Sequence, residues 1–140
     1  MSRHGYSYDY EHMNLYRAAV ERAIRGKRGQ AFLREMRDAM DAMTEKKLAA
    51  ELLVDEHTGE RCALGCVVFA RGLDASSTEP TEPDQVAKLL GIAESLAREV
   101  AYENDELWIY RPGNGSPTPE ERWQHMRKWV EKNIIAEKVT

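Results

Sequence analysis

The apolar positions of this chain form several amphipathic stretches and one stretch that is apolar on every side. The ten residues from Cys62 to Arg71 carry a single charge, at their end, although 31% of the chain is charged. A segment without a polar side has no face for solvent, so we expect it in the middle of the fold. Within it, Val67-Val68-Phe69 favours a strand, but the length of the run and Gly72 after its end favour a helix over Ala63–Ala70, which we predict.

Five further stretches repeat apolar residues every three or four positions, as amphipathic helices do. Thr118-Pro119-Glu120-Glu121 starts the last of them with a capping box and a proline at the first helical position. The predicted helices are Asn14–Arg25 with Asn14 as its cap, Gln30–Met43, a short helix capped by Thr44 that carries Leu48, Leu52 and Leu53, Asp84–Glu103, and the helix from Thr118.

The segment 53–62 leaves two interpretations open: a short β-hairpin with Gly59 at its turn, or a loop between two helices. With either, the sequence predicts a mainly α fold, a compact multi-helix single domain around the central apolar helix. A chain of 140 residues can bury roughly two thirds of its unfolded surface in one domain. We expect this domain to span 13–140 and the Tyr-rich residues 1–12, which lack any period, to form a flexible arm.

The net charge of −4 is distributed unevenly along the chain. Residues 17–47 hold nine Lys and Arg against five Asp and Glu, whereas residues 48–140 hold ten against seventeen. This asymmetry can steer a charged partner, or the mixed charges can simply solvate helix faces. No apolar run approaches the about 20 residues that span a bilayer, and the first residues lack the apolar core of a signal peptide. We therefore expect a cytoplasmic protein without membrane association and with both cysteines reduced.

Cys62 is the sharpest chemical candidate. At the amino end of the central helix, the helix dipole and free amides would lower the pKa of its thiol. A nucleophilic cysteine also needs a base, for which the fold would have to bring up His57, His125 or Asp105. The alternative, which we favour, is a small buried cysteine. The histidines show no metal-ligand spacing and no hydrolase, metalloprotease or dinucleotide motif occurs, so the sequence predicts no metal, no cofactor and no enzyme.

Asn104-Asp105 follows the longest predicted helix. Two short polar side chains at such a position can hold a ligand, but they more often satisfy helix ends and neighbouring backbone amides. We expect one of them to reach the backbone near Cys62 or Gly65 as a structural clasp.

The turn Arg25-Gly26-Lys27-Arg28-Gly29 combines two glycines with three cations before a helix. Glycines let a ligand approach the backbone, and a helix amino end with cations suits a phosphate. The order of residues is not that of a P-loop. The alternatives are a phosphate site at Arg25, Lys27 and Arg28, for a nucleotide or nucleic acid, or a solvated interhelical turn.

The stretch from Tyr102 to Arg111 is rich in the residue types that anchor protein interfaces. If exposed, Tyr102, Trp108, Tyr110 and Arg111 would form a partner-binding surface. The alternative is a lid, with Trp108 and Ile109 folded back on the core.

Three motifs occur in this chain in an order and at a spacing that together mark one family. They are Arg25-Gly26-Lys27-Arg28-Gly29-Gln30, Cys62-Ala63-Leu64-Gly65 and Glu103-Asn104-Asp105-Glu106. Through them the chain resembles a family of small uncharacterised phage and prophage proteins. The resemblance implies an accessory protein of the host cytoplasm.

Together with the absence of a catalytic constellation, the resemblance favours a non-enzymatic protein that binds a host protein, as an antagonist of a host defence system. Binding of a nucleotide or nucleic acid at the Arg25–Gly29 turn is the alternative. The sequence leaves the oligomeric state open, a homodimer included.

Overall fold

The computed structural model describes residues 10–105, 115 and 117–136, with side chains from residue 13. These residues form six α-helices and one isolated β-bridge, which confirms the mainly α, single-domain prediction. The helices are α1 (Tyr10–Arg25), α2 (Lys27–Asp41), α3 (Ala63–Arg71), α4 (Pro83–Leu90), α5 (Glu94–Asp105) and α6 (Pro119–Asn133).

The central apolar segment is a helix, as predicted. Residues 62–68 are all buried, and α3 packs against α2 and α5. Cys62 is its N-cap, with the sulfur accepting a hydrogen bond from the Gly65 amide at 3.4 Å. Gly72 ends it in the left-handed region at φ 66°, a backbone conformation that glycine adopts without strain.

The other helices surround this segment with their apolar stripes. α1 and α6 each pack against α2 and α5, and α4 packs against α5. The last helix has the expected start: Thr118 and Glu121 form the capping box, and Pro119 is its first residue. The largest completely buried side chains include Leu33, Met36, Met40, Leu96 and Met126.

The junction between α1 and α2 is tighter than predicted. α1 begins at Tyr10, so Asn14 lies inside the helix and does not cap it, and residues 10–12 of the expected arm are helical; residues 1–9 lie outside the described residues. Gly26 alone separates the two helices. Gly29 belongs to the first turn of α2, where a Cβ atom would lie 1.8 Å from the carbonyl oxygen of Ala23. This glycine therefore permits the contact between two helix backbones.

The short helix predicted after Thr44 is wrong. Residues 42–62 are not helical, because tertiary partners take the backbone groups that a helix would use. The Leu48 amide donates to the Pro119 carbonyl at 3.0 Å, and the Ala49 amide donates to the Arg61 carbonyl at 2.9 Å. Of the two alternatives for 53–62, the structure has the hairpin in its smallest form, one antiparallel bridge between Val54 and Arg61.

The single helix predicted over Asp84–Glu103 is also wrong. Gly91 adopts the left-handed region at φ 71° and ends α4, and the chain restarts as α5 at Glu94. The apolar spacing continues across the break because both helices bury their own stripes, with Leu90 on α4 and Leu96 on α5. Periodicity alone therefore missed a turn that one glycine makes possible. Among all described residues, no helix combines the length and apolar character needed to cross a membrane.

Candidate functional site

Asn104 makes the contact that the sequence predicted. It is completely buried at the end of α5. Its side-chain oxygen accepts from the Ala63 amide at 3.1 Å, and its side-chain nitrogen donates to the Ala49 carbonyl at 2.9 Å. One amide side chain thus joins the start of α3 and the segment after α2 to α5.

Two neighbours extend this clasp, which we define as Asn104, Asp105 and Arg122. The Asp105 carboxylate accepts from the Glu51 amide at 3.0 Å. The buried Arg122 guanidinium, on α6, donates to the Asn104 carbonyl at 2.9 Å and to the Leu48 carbonyl at 3.3 Å. Burial lowers the pKa of Arg122. The end of α5 and the start of α6 are therefore fixed to the same four-residue segment, 48–51.

The clasp lies at the end of α5 and near the start of α6, the two helices on either side of residues 106–114 and 116. Residues 106–114 and 116, including Trp108, Tyr110 and Arg111, lie outside the described residues. Asp105 and Pro117 stand on either side of them, and Pro119 is hydrogen-bonded to Leu48. Tyr102 lies one turn earlier on α5 and is half-buried.

A groove of about 580 Å³ lies beside residues 48–49 and the start of α6, and we call it the loop groove. Ala49 and Pro119 both line it. The Asn104 side chain donates a hydrogen bond to the Ala49 carbonyl, and the Leu48 amide donates one to the Pro119 carbonyl. Met43, Leu48 and Phe69 supply apolar walls, and the charged side chains on its lining are Glu45, Lys47, Glu60 and Arg61. The loop groove therefore lies beside the start of α6, which Pro119 begins.

Phe69 is exposed although the rest of the apolar segment up to Val68 is buried. Its exposed fraction is 58%, and the Arg61 guanidinium carbon lies 4.0 Å from its ring centroid. Such cation–π stacking holds an aromatic ring and a cation together at the surface. The sequence predicted Phe69 as core, because a uniformly apolar segment gives no signal of which side faces outward.

Cys62 does not lie in a cleft. Its side chain is completely buried, and its sulfur serves as the α3 cap. His57 is exposed and His125 pairs with Glu103 at 3.0 Å. Burial raises the pKa of the neighbouring Cys66 thiol to about 12. The arrangement fits the interpretation of both cysteines as buried packing groups.

The Arg25–Gly29 turn is divided between two roles. Arg25, Lys27 and Arg28 are exposed, Gly26 is the N-cap of α2 without a side-chain hydrogen bond, and the first turn of α2 has no acidic residue. Gly29, in contrast, is buried against α1 and cannot bring backbone to a ligand. The structure therefore leaves all three predicted cations exposed, with Arg25 3.7 Å from the Glu21 carboxylate, and corrects the role of the second glycine.

Each of the three motifs contains residues with structural roles. Gln30 donates to the Ile24 and Asn133 carbonyls and so joins α1 to the end of α6. Gly65 lies so close to Leu53 that a Cβ atom on Gly65 would be 1.9 Å from the Leu53 carbonyl oxygen. Asn104, in the third motif, belongs to the clasp. The motifs therefore supply contacts between separate segments of the chain, and they do not form a reactive centre.

Within the described part of the chain, no group of three or more His, Cys, Asp and Glu side chains is placed to hold a metal ion. None of the protein-family models, curated proteins and solved structures compared with this chain matches it.

Proposed function

We propose that this chain is a non-enzymatic, phage-type accessory protein that acts by binding a host protein. The observation that carries the proposal is the loop groove with the exposed Phe69 ring on its lining. The groove residues Ala49 and Pro119 are held by hydrogen bonds to Asn104 and Leu48, and half-buried Arg61 stacks on the Phe69 ring. Tyr, Trp, Phe and Arg are the side chains that contribute most to protein interfaces.

The surface for the host protein comprises Tyr102, Trp108, Tyr110 and Arg111 together with the loop groove. The clasp supports this assignment because it holds the groove residues Leu48 and Ala49 in place, and a preformed surface loses less conformational entropy on binding. The resemblance of the three motifs to those of small phage and prophage proteins is the basis for proposing a phage-type origin, and with it the host cytoplasm as location and a defence component as target.

The experiment is capture from a lysate of a bacterial host with the tagged chain, identification of the captured protein, and measurement of Kd with both components purified. We expect Trp108→Ala/Tyr110→Ala to weaken binding at least tenfold, about 1.4 kcal/mol or more. Leu15→Ala is the matched control, because Leu15 is an exposed apolar side chain on α1, away from the groove.

Thermal unfolding followed by circular dichroism checks that the variants remain folded. Equal Kd values for the double variant and the wild-type chain would refute the proposed surface. A changed Kd in the Leu15→Ala control would show that the effect is not local to the loop groove.

A second candidate function is binding of a phosphate-bearing ligand, a nucleotide or a nucleic acid, by Arg25, Lys27 and Arg28. The observation in its favour is the exposure of all three cations at the amino end of α2, whose first amides lack a side-chain cap. Helix amides and cations together favour anions.

Titration with nucleotides, cyclic dinucleotides and oligonucleotides at low salt tests this second function. We expect a triple Ala variant of the three cations to lose binding, and Lys128→Ala, an exposed cation on α6, to keep it. For a nucleic acid, affinity should fall steeply as salt rises. Absence of binding at low salt would eliminate this function.

A further inference from the structure

A second depression lies on the other side of Phe69, and we call it the acidic groove. It has a volume of about 820 Å³ and opens to solvent between the 52–59 hairpin and the chain that follows α3. Buried Leu53 and Val68 form part of its lining, with half-buried Val54 and Leu73 beside them. A volume of this size is in the range of ligand-binding clefts.

Phe69 also lines the acidic groove, so its ring separates the two depressions. An exposed Phe stacked by a guanidinium offers a large apolar surface with little side-chain freedom left to lose on binding. The other large exposed apolar side chains of the described residues, Leu15 and Ile135, belong to neither depression.

The stretch of chain that contains the lining of this groove is acidic. Residues 48–84 contain eight Asp and Glu against two Lys and Arg, a net charge of −6 in a chain whose total is −4. Asp55 and Glu56 line the groove, and Asp74 and Glu79 are sequence neighbours of lining residues.

The two cations of this stretch are already engaged. Arg71 forms two hydrogen bonds with the Glu35 carboxylate, at 2.7 and 2.6 Å, outside the acidic groove. Arg61 lies over the Phe69 ring and donates to the Gly59 carbonyl. Hydrogen bonds from the amides of His57 and Thr58 lower the pKa of Asp55, and Ser76 lowers the pKa of Asp74 in the same way. These carboxylates stay ionised at neutral pH.

We infer that the acidic groove binds an extended segment of a partner polypeptide that carries a large apolar side chain flanked by Lys and Arg. The apolar floor beside Phe69 takes the apolar side chain, and the carboxylates around it take the flanking cations. The negative charge decides the class of partner, since it repels nucleic acid and anionic lipid surfaces. The inference goes beyond the proposed function, because it adds a second binding surface that shares only Gly59 and Phe69 with the loop groove.

The probe for this inference is a labelled synthetic peptide, Lys-Arg-Lys-Leu-Lys-Arg-Lys, titrated into the isotope-labelled full chain. We expect shifts of backbone amide signals at 52–59 and 68–80 in NMR spectra. A second peptide with Ser in place of Leu keeps every charge, and we expect it to bind roughly tenfold more weakly because it lacks the apolar anchor. Raising the salt concentration should weaken the Leu peptide several-fold.

Two variants locate the site. Phe69→Ala removes an exposed ring and should weaken peptide binding roughly five- to tenfold without unfolding the chain. Glu56→Lys reverses one charge at the groove and should weaken it by a similar factor. Glu131→Lys makes the same reversal on α6, at a position 12 residues from the Pro119 start of that helix, about 18 Å along its axis. We expect this control to bind the peptide like the wild-type chain.

Equal affinity for the Leu and Ser peptides would overturn the inference, as would amide shifts confined to α1 and α6. Unchanged binding by both Phe69→Ala and Glu56→Lys would also overturn it. Trp108→Ala/Tyr110→Ala separates this inference from the proposed function. That variant should still bind the peptide but should no longer bind the host protein. Binding at each surface can therefore be measured even if the other surface proves not to bind.

Discussion

At the scale of single residues, Glu51 adopts an unfavourable backbone conformation that a member of the clasp holds in place. It is the one non-glycine residue of the described chain in the left-handed region, at φ 59°. Its amide is held by the Asp105 carboxylate, so the clasp keeps an unfavourable backbone conformation in place. Residues in this region cost of order 1 kcal/mol and persist only where the surroundings fix them.

We expect Glu51→Gly to unfold at the same urea concentration as the wild-type chain or a higher one, because glycine adopts positive φ freely. Glu51→Val should lower the free energy of unfolding by about 1–2 kcal/mol, since a β-branched residue is strained there. The Glu51 side chain is exposed, so neither change removes packing. Equal stability of the two variants would mean that the conformation at this position is not maintained in solution.

The two buried thiols lead to a second prediction at the residue scale. Cys62 and Cys66 lie in the core, and burial raises the pKa of Cys66 to about 12, which disfavours its reactive thiolate. In the folded chain at pH 8, we expect neither thiol to react with an aromatic disulfide reagent until the core opens. Urea should then accelerate labelling in parallel with unfolding measured by circular dichroism. Rapid labelling of one thiol per chain without denaturant would contradict the buried placement.

At the scale of elements, hydrogen bonds from side chains to backbone link helices that are distant in sequence. Asn104 connects α5 to the start of α3, and Gln30 connects α2 to the ends of α1 and α6. Each such side chain satisfies backbone groups that helix ends leave without an intrahelical partner. The clasp therefore holds together the end of α5, the start of α3 and residues 48–51.

Asn104→Ala should reduce the free energy of unfolding by about 2–4 kcal/mol, because it leaves the Ala63 amide and the Ala49 carbonyl without this partner. Urea unfolding measures the change, and hydrogen exchange at Ala63 should become faster. Asn14→Ala, an exposed position on α1, is the control and should stay within about 0.5 kcal/mol of the wild-type chain. An equally small loss of unfolding free energy in Asn104→Ala would show that the Asn104 contacts do not stabilise the fold.

Two ion pairs between helices predict acid sensitivity. Arg71 on α3 lowers the pKa of Glu35 on α2 chiefly by hydrogen bonding, and Arg127 on α6 does the same to Asp41. A carboxylate whose pKa is lower in the folded chain stabilises the fold above its ordinary value, near pH 4, and that contribution disappears as the pH falls through the folded pKa.

We therefore expect Glu35→Gln/Asp41→Asn to be less stable than the wild-type chain at pH 7, by about 0.5–1 kcal/mol for each exposed pair. The difference should vanish in acid, below both folded pKa values. Thermal unfolding from pH 7 to pH 2 provides the comparison, with Glu56→Gln, outside any helix–helix pair, as control. A constant difference over that range would contradict the assignment.

At the scale of the whole molecule, charge and exposed apolar surface are unevenly placed. Residues 17–47 have a net charge of +4, whereas residues 48–84 have a net charge of −6 and include both sides of the acidic groove. Phe69 stands between the two grooves, on the helix that otherwise forms the centre of the core. A central helix that reaches the surface at one end therefore connects the core directly to the proposed binding surfaces.

Features that depend on neighbours along the chain could be predicted from the amino-acid sequence. The apolar run predicted α3, the capping box predicted the start of α6, and the polar pair at the end of α5 predicted the contact of Asn104 with the backbone beside Cys62. Periodicity and capping are local, because they involve residues within one or two helical turns.

Only the tertiary structure decided the features that depend on distant partners. Hydrogen bonds to Pro119 and Arg61 keep residues 44–53 from forming a helix, and the turn at Gly91 divides a stripe that looked continuous. The exposure of Phe69 depends on where α2 and α5 cover α3, which an evenly apolar sequence does not encode. The grooves arise where separate segments meet, so their chemistry becomes visible only when the chain is folded.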